Sequence, residues 1–124
     1  MQLDVFRAVG GEQFFFDLVD RFYERVEKDE ALRPLYPDDL DGPKRHLALF
    51  LIQYWGGPPT YSRERGHPAL RMRHMPFVIG RAQRDAWYRA MSASVLEADL
   101  AVDIERRFLE YFAMTADHMI NDGN

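Results

Sequence analysis

The sequence predicts an all-α domain. Four long stretches carry apolar residues at helical spacing, none alternates in the β manner over a useful length, and Gly-Gly and Pro punctuation separates them. At 124 residues the chain reads as one domain, 1–124, long enough to bury about two thirds of the surface its unfolded form exposes.

The opening "LDVFRAV" predicts a short helix stopped by Gly10 and Gly11. From Glu12 to about Glu27, Phe15, Leu18, Val19, Phe22 and Val26 form one helical stripe, with Tyr23 at its edge. Pro34 and Pro37 then allow at most a single turn before Tyr36. A third helix is expected to begin near Gly42-Pro43, because proline suits a first helical turn. It carries Leu47, Phe50, Leu51 and Tyr54 at i, i+3, i+4, i+7 and should stop at Gly56-Gly57-Pro58-Pro59. A long loop to Pro68 is expected next, then a short segment from Ala69 to Met75 closed by Pro76. The third long pattern spans about Arg81 to Leu96, with Trp87, Ala90, Met91, Ser94 and Val95 on one face. The last spans about Ala101 to Ile120, with Ile104, Phe108, Tyr111, Phe112, Thr115 and Met119 as its stripe.

Composition narrows the chemistry. The chain is 47% hydrophobic and 14% aromatic, with nine Phe, six Tyr and two Trp, so it can build a core. Sixteen Lys plus Arg against twenty Asp plus Glu leave a net charge of −4, which disfavours a nucleic-acid partner held by a global positive field. Without cysteine there is no disulfide, thiolate metal site or Cys nucleophile, and any metal must be held by His, carboxylates, Tyr or Met. The N-terminus lacks a basic start followed by a long apolar run, and no apolar stretch reaches membrane-spanning length. A cytoplasmic protein without a membrane partner is the expectation.

The sequence also lacks a glycine-rich phosphate loop and a His-Glu-x-x-His pair. Its histidines, 46, 67, 74 and 118, include no pair at i, i+3 or i+4, the spacing that aims two imidazoles at one metal from a helix. One-histidine chemistry remains. Haem asks for that, since its iron already has four porphyrin nitrogens and needs one axial side chain. If residues 69–75 form a helical turn, His74 follows Leu70 by four positions, and the Leu70 carbonyl could accept the ring's second N–H and free Nε2 for iron. Spacing alone leaves this open against an ordinary histidine of a basic loop. Arg63, Arg65, Arg71, Arg73 and the flanking Arg81 read either as partners for a cofactor's carboxylates or as a solvated surface. His67 is expected to order its loop, and His46 and His118 to sit at the helix surface.

The run "QYWGGPPTYSRERGHPALRMRHMPF", with "AVGG" at 8–11, "RFYERV" at 21–26, "LYP" at 35–37 and "RDAWYRAM" at 84–91, resembles the truncated (two-on-two) haemoglobins, specifically group II, the O-type. The resemblance covers nearly the whole chain and implies a globin-like two-over-two helical sandwich around haem b, iron protoporphyrin IX. It assigns the proximal iron bond to His74 in "RMRH". It assigns the distal, ligand-facing side to Tyr23, Tyr36 and Trp87, and the apolar distal contacts to Leu47 and Phe50. Tyr61 and Arg73 fall where propionate neighbours are expected, Phe77 where an aromatic packs on the proximal side, and Leu70 and His46 among the further haem contacts. Pro43 falls near the position that gates the distal pocket.

The implied activity is binding of O2, with CO and NO as related ligands, and in that broad sense oxygen transport. Tyr and Trp donors would slow oxygen release, which suits sensing, scavenging or oxidation better than bulk delivery. A peroxidase or nitric oxide dioxygenase on the same haem is the alternative. It would need an external reductase, for the chain shows no nicotinamide or flavin domain. A homodimer is compatible with the sequence. A haem-free helical interaction domain, with Tyr23 and Tyr36 as tethered core tyrosines, is the remaining reading.

Overall fold

The computed structural model describes residues 4–69 and 78–121, and every regular element among them is helical. In chain order these are α1 (Val5–Ala8), α2 (Glu12–Lys28), a 3-10 turn (Arg33–Leu35), α3 (Asp41–Tyr54), α4 (Thr60–Arg65), α5 (Arg81–Leu96) and α6 (Val102–His118). Helix α2 packs on α3 and on α5, and α5 pairs with α6, so α2 and α3 form one layer and α5 and α6 the other.

Local chemistry accounts for the boundaries. Asp4 caps α1 through Oδ1, which accepts from the Arg7 amide at 3.3 Å. Gly10 and Gly11, both at positive φ (92° and 94°), turn the chain into α2. Helix α2 carries Glu12 in its first turn and Arg25 and Lys28 in its last, matching the helix dipole at both ends. Its buried face is Phe15, Leu18, Val19, Phe22, Tyr23 and Val26, as its periodicity predicts. Beyond it, Asp29 Oδ1 accepts from the amides of Ala31 and Leu32 at 2.9 and 3.2 Å and starts the turn that the two prolines keep short.

Helix α3 begins at Asp41, whose amide donates to Asp39 Oδ1 at 2.9 Å, one residue before the expected start. It ends where Gly57 donates to the Ile52 carbonyl at 2.8 Å. A β-carbon on Gly57 would lie 2.6 Å from Ile52 Cγ2 and 2.7 Å from Phe6 Cε1, so the close approach of α1 excludes any side chain there. The expected stripe of α3 is corrected by the structure. Ala48, Leu49, Phe50, Leu51 and Ile52 are buried in succession, whereas Tyr54 is 51% exposed. A helix covered on more than one side has no single apolar face for periodicity to find.

The stretch after Gly57, expected to be loop as far as Pro68, contains α4. Gln53 builds it with both ends of one amide: Nε2 donates to Ser62 Oγ at 2.8 Å, and Oε1 accepts from the Ser62 amide at 2.9 Å. This clamp and the burial of Tyr61 hold a helix too short to form by propensity alone.

Helix α5 runs over the expected residues, and Gln83 in its first turn accepts from the Gly80 amide at 2.9 Å. Its buried Ser94 ties it to α2. Arg21 Nε and Nη2 donate to the Ser94 carbonyl at 3.2 and 3.1 Å, Arg25 Nη1 donates to Ser94 Oγ at 3.3 Å, and Arg25 pairs with Glu97. The start of α5 and the end of α6 are joined by a reciprocal pair, Ile79 amide to Asn121 Oδ1 and Asn121 amide to the Ile79 carbonyl, both at 2.9 Å. No described helix is long and apolar enough to cross a membrane.

Candidate functional site

Between the two helical layers lies a cavity of about 350 Å³, within the usual range for small-molecule sites. Its walls are apolar over most of their extent, with Leu32, Leu47, Phe50, Leu51 and Phe112 among them. Tyr23, Tyr36 and Trp87 meet on one side of it, carried by α2, the 3-10 turn and α5.

Local structure aims these three side chains. Tyr23 sits at the edge of the α2 stripe and is 3% exposed. Trp87 is wedged edge-on between Phe22 and Phe112, at centroid distances of 5.5 and 5.9 Å. Tyr36 follows the turn, and Arg33 fixes its backbone. Arg33 Nη1 donates to the carbonyls of Tyr36 and Pro37 at 3.3 and 3.0 Å, and Nη2 donates to that of Asp38 at 3.0 Å.

The polar atoms converge on one oxygen. The Trp87 indole, whose nitrogen can only donate, and the Tyr23 phenol both lie beside the Tyr36 hydroxyl and favour its ionised form. Burial pushes the Tyr36 phenol up to about 12, and the two hydrogen bonds hold it from rising further. Burial, and then the adjacent Tyr36, drive Tyr23 well above the usual phenol range. Both phenols are therefore neutral at physiological pH.

Tyr61 of α4 is 3% exposed, lies edge-on to Phe50 at 5.6 Å and lines the cavity wall. His46 and Arg65 stand together at the margin, Arg65 Nη1 lying 3.0 Å from His46 Nε2. Pro43 also lines the cavity, in the first turn of α3. The expected residues Tyr23, Tyr36, His46, Leu47, Phe50, Tyr61 and Trp87 thus share one cavity. His74, Leu70, Arg73 and Phe77 lie outside the described residues, as does Arg71. His67 and His118 are exposed and away from the cavity. Among the described residues no three His or acidic side chains gather as a metal site.

The structure adds residues that the sequence reading did not place here. Tyr111 and Thr115 of α6 and Met119 just past its end face the cavity, and Gln83 and Arg84 line it from α5. The signal for the α6 residues was present, for all three lie on its apolar stripe. A threonine on such a stripe points to a polar need within the core.

A flat apolar group with acidic edges fits these walls, having hydrocarbon contacts over its faces, phenol and indole donors on one side, and the Arg65–His46 pair at the margin. Such a pocket in a two-layer helical sandwich defines a globin-type haem protein. A family model for the bacterial-like globins matches residues 4–121, and the chain belongs to that family, as a group II truncated haemoglobin. The group 2 truncated hemoglobin YjbI of Bacillus subtilis (strain 168) is 42% identical over 111 residues, covering 90% of this chain and 84% of the relative. The crystal structure of the hemoglobin from the thermophilic phototrophic bacterium Chloroflexus aurantiacus superposes with a TM-score of 0.94 at 47% identity, covering 98% of this chain and all of the other. The truncated oxygen-avid haemoglobin from Bacillus subtilis superposes with a TM-score of 0.89 at 41% identity, over 94% of this chain and 98% of its own. Family membership implies a haem cofactor and the binding of a small ligand such as O2.

Proposed function

We propose that the chain acts as a single domain, 1–124, holding haem b through His74, and binds O2 tightly with slow release. The convergence of Trp87 and Tyr23 on the Tyr36 hydroxyl carries this reading. Haem would supply a ferrous iron that binds a diatomic ligand and draws electron density onto it. Tyr36, held by its two donors, turns its free proton toward that ligand. Trp87 and Tyr23 keep the Tyr36 oxygen in place, so little reorganisation is needed when the ligand arrives. A hydrogen bond to a charged acceptor contributes roughly 1.5–3 kcal/mol, and about 1.4 kcal/mol is tenfold in equilibrium. Oxygen, the more polar of the bound gases, gains more from it than CO. The likeness to a haemoglobin described as oxygen-avid supports the same reading.

His74 is assigned by the match of "RMRH" to the family pattern, with Arg73 and Tyr61 near the propionates, Leu70, Phe77 and His46 as further contacts, and Leu47 and Phe50 over the distal face. The location is cytoplasmic, and any catalytic turnover on the haem would need a separate reductase.

The test is a visible spectrum of the dithionite-reduced protein before and after oxygen, with His74→Gly alongside. A haem Soret band that shifts with oxygen, and is lost or altered in its axial signature in His74→Gly, is expected. Unchanged pigment and axial-bond spectroscopy in the variant would overturn the assignment.

A further inference from the structure

The solvent face of α6 carries a row of four exposed residues spaced by four, Val102, Arg106, Glu110 and Met114. Its ends, Val102 and Met114, are the two most exposed large apolar side chains among the described residues, at 66% and 65%. Between them, Arg106 and Glu110 form no ion pair with each other or with any other described residue. A cation four positions before an anion is the less favourable order for pairing along one helix. Beside the row runs an open groove of about 370 Å³. Val102, Arg106 and Glu110 form one wall of it, and Glu105, Leu109 and Ala113 the other.

From this face we infer that a second copy of the chain docks on α6, row against row and antiparallel, as a two-fold homodimer. A single exposed apolar side chain on a helix is ordinary and needs no partner. The order apolar, cation, anion, apolar is different, because reversing it produces its own complement. A two-fold axis between Arg106 and Glu110 sets Arg106 of each copy against Glu110 of the other, and Val102 of each against Met114 of the other. Two ion pairs then form where the single chain makes none. The two most exposed apolar side chains leave water in the same step.

Helix geometry favours this pairing. Residues four apart make raised rows on an α-helix, and two helices seat such rows in each other's grooves when they cross at about 50°. At that angle the rows of the two copies lie side by side, and the axis reverses one of them. Each row enters the groove of its mate, where Ala113 leaves room and the unbranched Met114 adapts to the wall. One helix on one helix covers less than the about 800 Å² per partner of a standard interface, so the dimer is weak and depends on concentration. Tyr111 and Thr115 of the same helix face the cavity, away from the row, so association leaves the cavity wall in place.

Sedimentation velocity of the haem-loaded full chain, from micromolar to millimolar concentration, tests this. The parent should shift from one chain to two as concentration rises. Arg106→Glu and Glu110→Arg, each alone, put like charges at both contacts and should leave only monomer, with the Soret band and helical circular dichroism of the parent. Mixing the two variants in equal amounts should restore a dimer, since every contact again joins opposite charges. The chain carrying both exchanges should dimerise by itself. A parent that stays monomeric throughout overturns the inference and leaves the row to solvent or to a different protein. A dimer that survives either single reversal lies on another face and overturns it too. Single reversals that abolish the dimer without rescue on mixing overturn the antiparallel pairing.

Discussion

Tyr23 and Tyr36 meet edge to face, ring centroids 5.4 Å apart at 85°. One phenol stands on a long helix and the other follows a turn pinned by two prolines, and only the fold brings their oxygens together. If Trp87 and Tyr23 hold the Tyr36 hydroxyl as proposed, the three donors have unequal roles toward a ligand in the cavity.

Tyr36→Phe should raise the oxygen off-rate most, since it removes the uncommitted proton. Trp87→Phe should raise it by about tenfold, through the loss of roughly 1.4 kcal/mol of orientation and donation. Laser photolysis or stopped-flow against CO checks both. Equal changes for the two gases would reject the donor assignment.

Arg33 reaches this site only through the backbone. Its guanidinium holds the carbonyls of Tyr36, Pro37 and Asp38. Arg33→Ala should release that segment and raise the oxygen off-rate with little change in haem affinity, while Arg33→Lys, with a single ammonium, should recover only part of the effect. Ligand kinetics and a haem-transfer assay on the three proteins separate positioning from general instability.

Gly57→Ala should destabilise the fold by about 1–3 kcal/mol, the usual cost of overpacking. The new methyl group would meet the Ile52 carbonyl oxygen at 2.9 Å as well as two side chains, and backbone cannot step aside as a side-chain tip can. A lowered denaturant midpoint at constant slope is the expected readout.

Gln53→Leu should loosen α4. Both ends of the Gln53–Ser62 clamp disappear, and each hydrogen bond contributes about 1 kcal/mol net. Tyr61 should then become accessible, seen as increased hydrogen exchange across 60–65 without change in α5 or α6.

The buried phenols set an alkaline limit. Tyr36 and Tyr111 ionise near 12 in the folded protein against 10.0 in the unfolded chain. Where the folded pKa is the higher one, the associated stability is fully present below about 10 and is lost as pH climbs through about 12, because the unfolded state ionises first. Unfolding free energy should be flat in this respect from neutrality to pH 10 and fall by a few kcal/mol beyond it. Oxygen off-rates should likewise hold steady to about pH 10.

Much of this architecture is legible in the residues. Helix α5 occupies its expected span, and α2 extends one residue beyond Glu27, because each carries an apolar stripe with clear termini. Helix α4 was not legible. Its stability comes from a clamp by Gln53, a residue of the preceding helix, and local periodicity cannot register such a partner. Tyr54 fits the α3 stripe by spacing yet stands half in solvent, because α3 is buried by its surroundings rather than along one face.

The sequence by itself determined the helical class, the punctuation that shortens the connections, and the residue types that a haem pocket requires, since these depend on neighbours within a few positions along the chain. Only the tertiary structure decided that Trp87 and Tyr23 meet beside the Tyr36 hydroxyl, that α6 supplies Tyr111 and Thr115 to the cavity wall, and that Tyr54 lies against Tyr111. Each of those facts depends on the distance between side chains far apart in sequence, and packing of the two layers alone sets that distance.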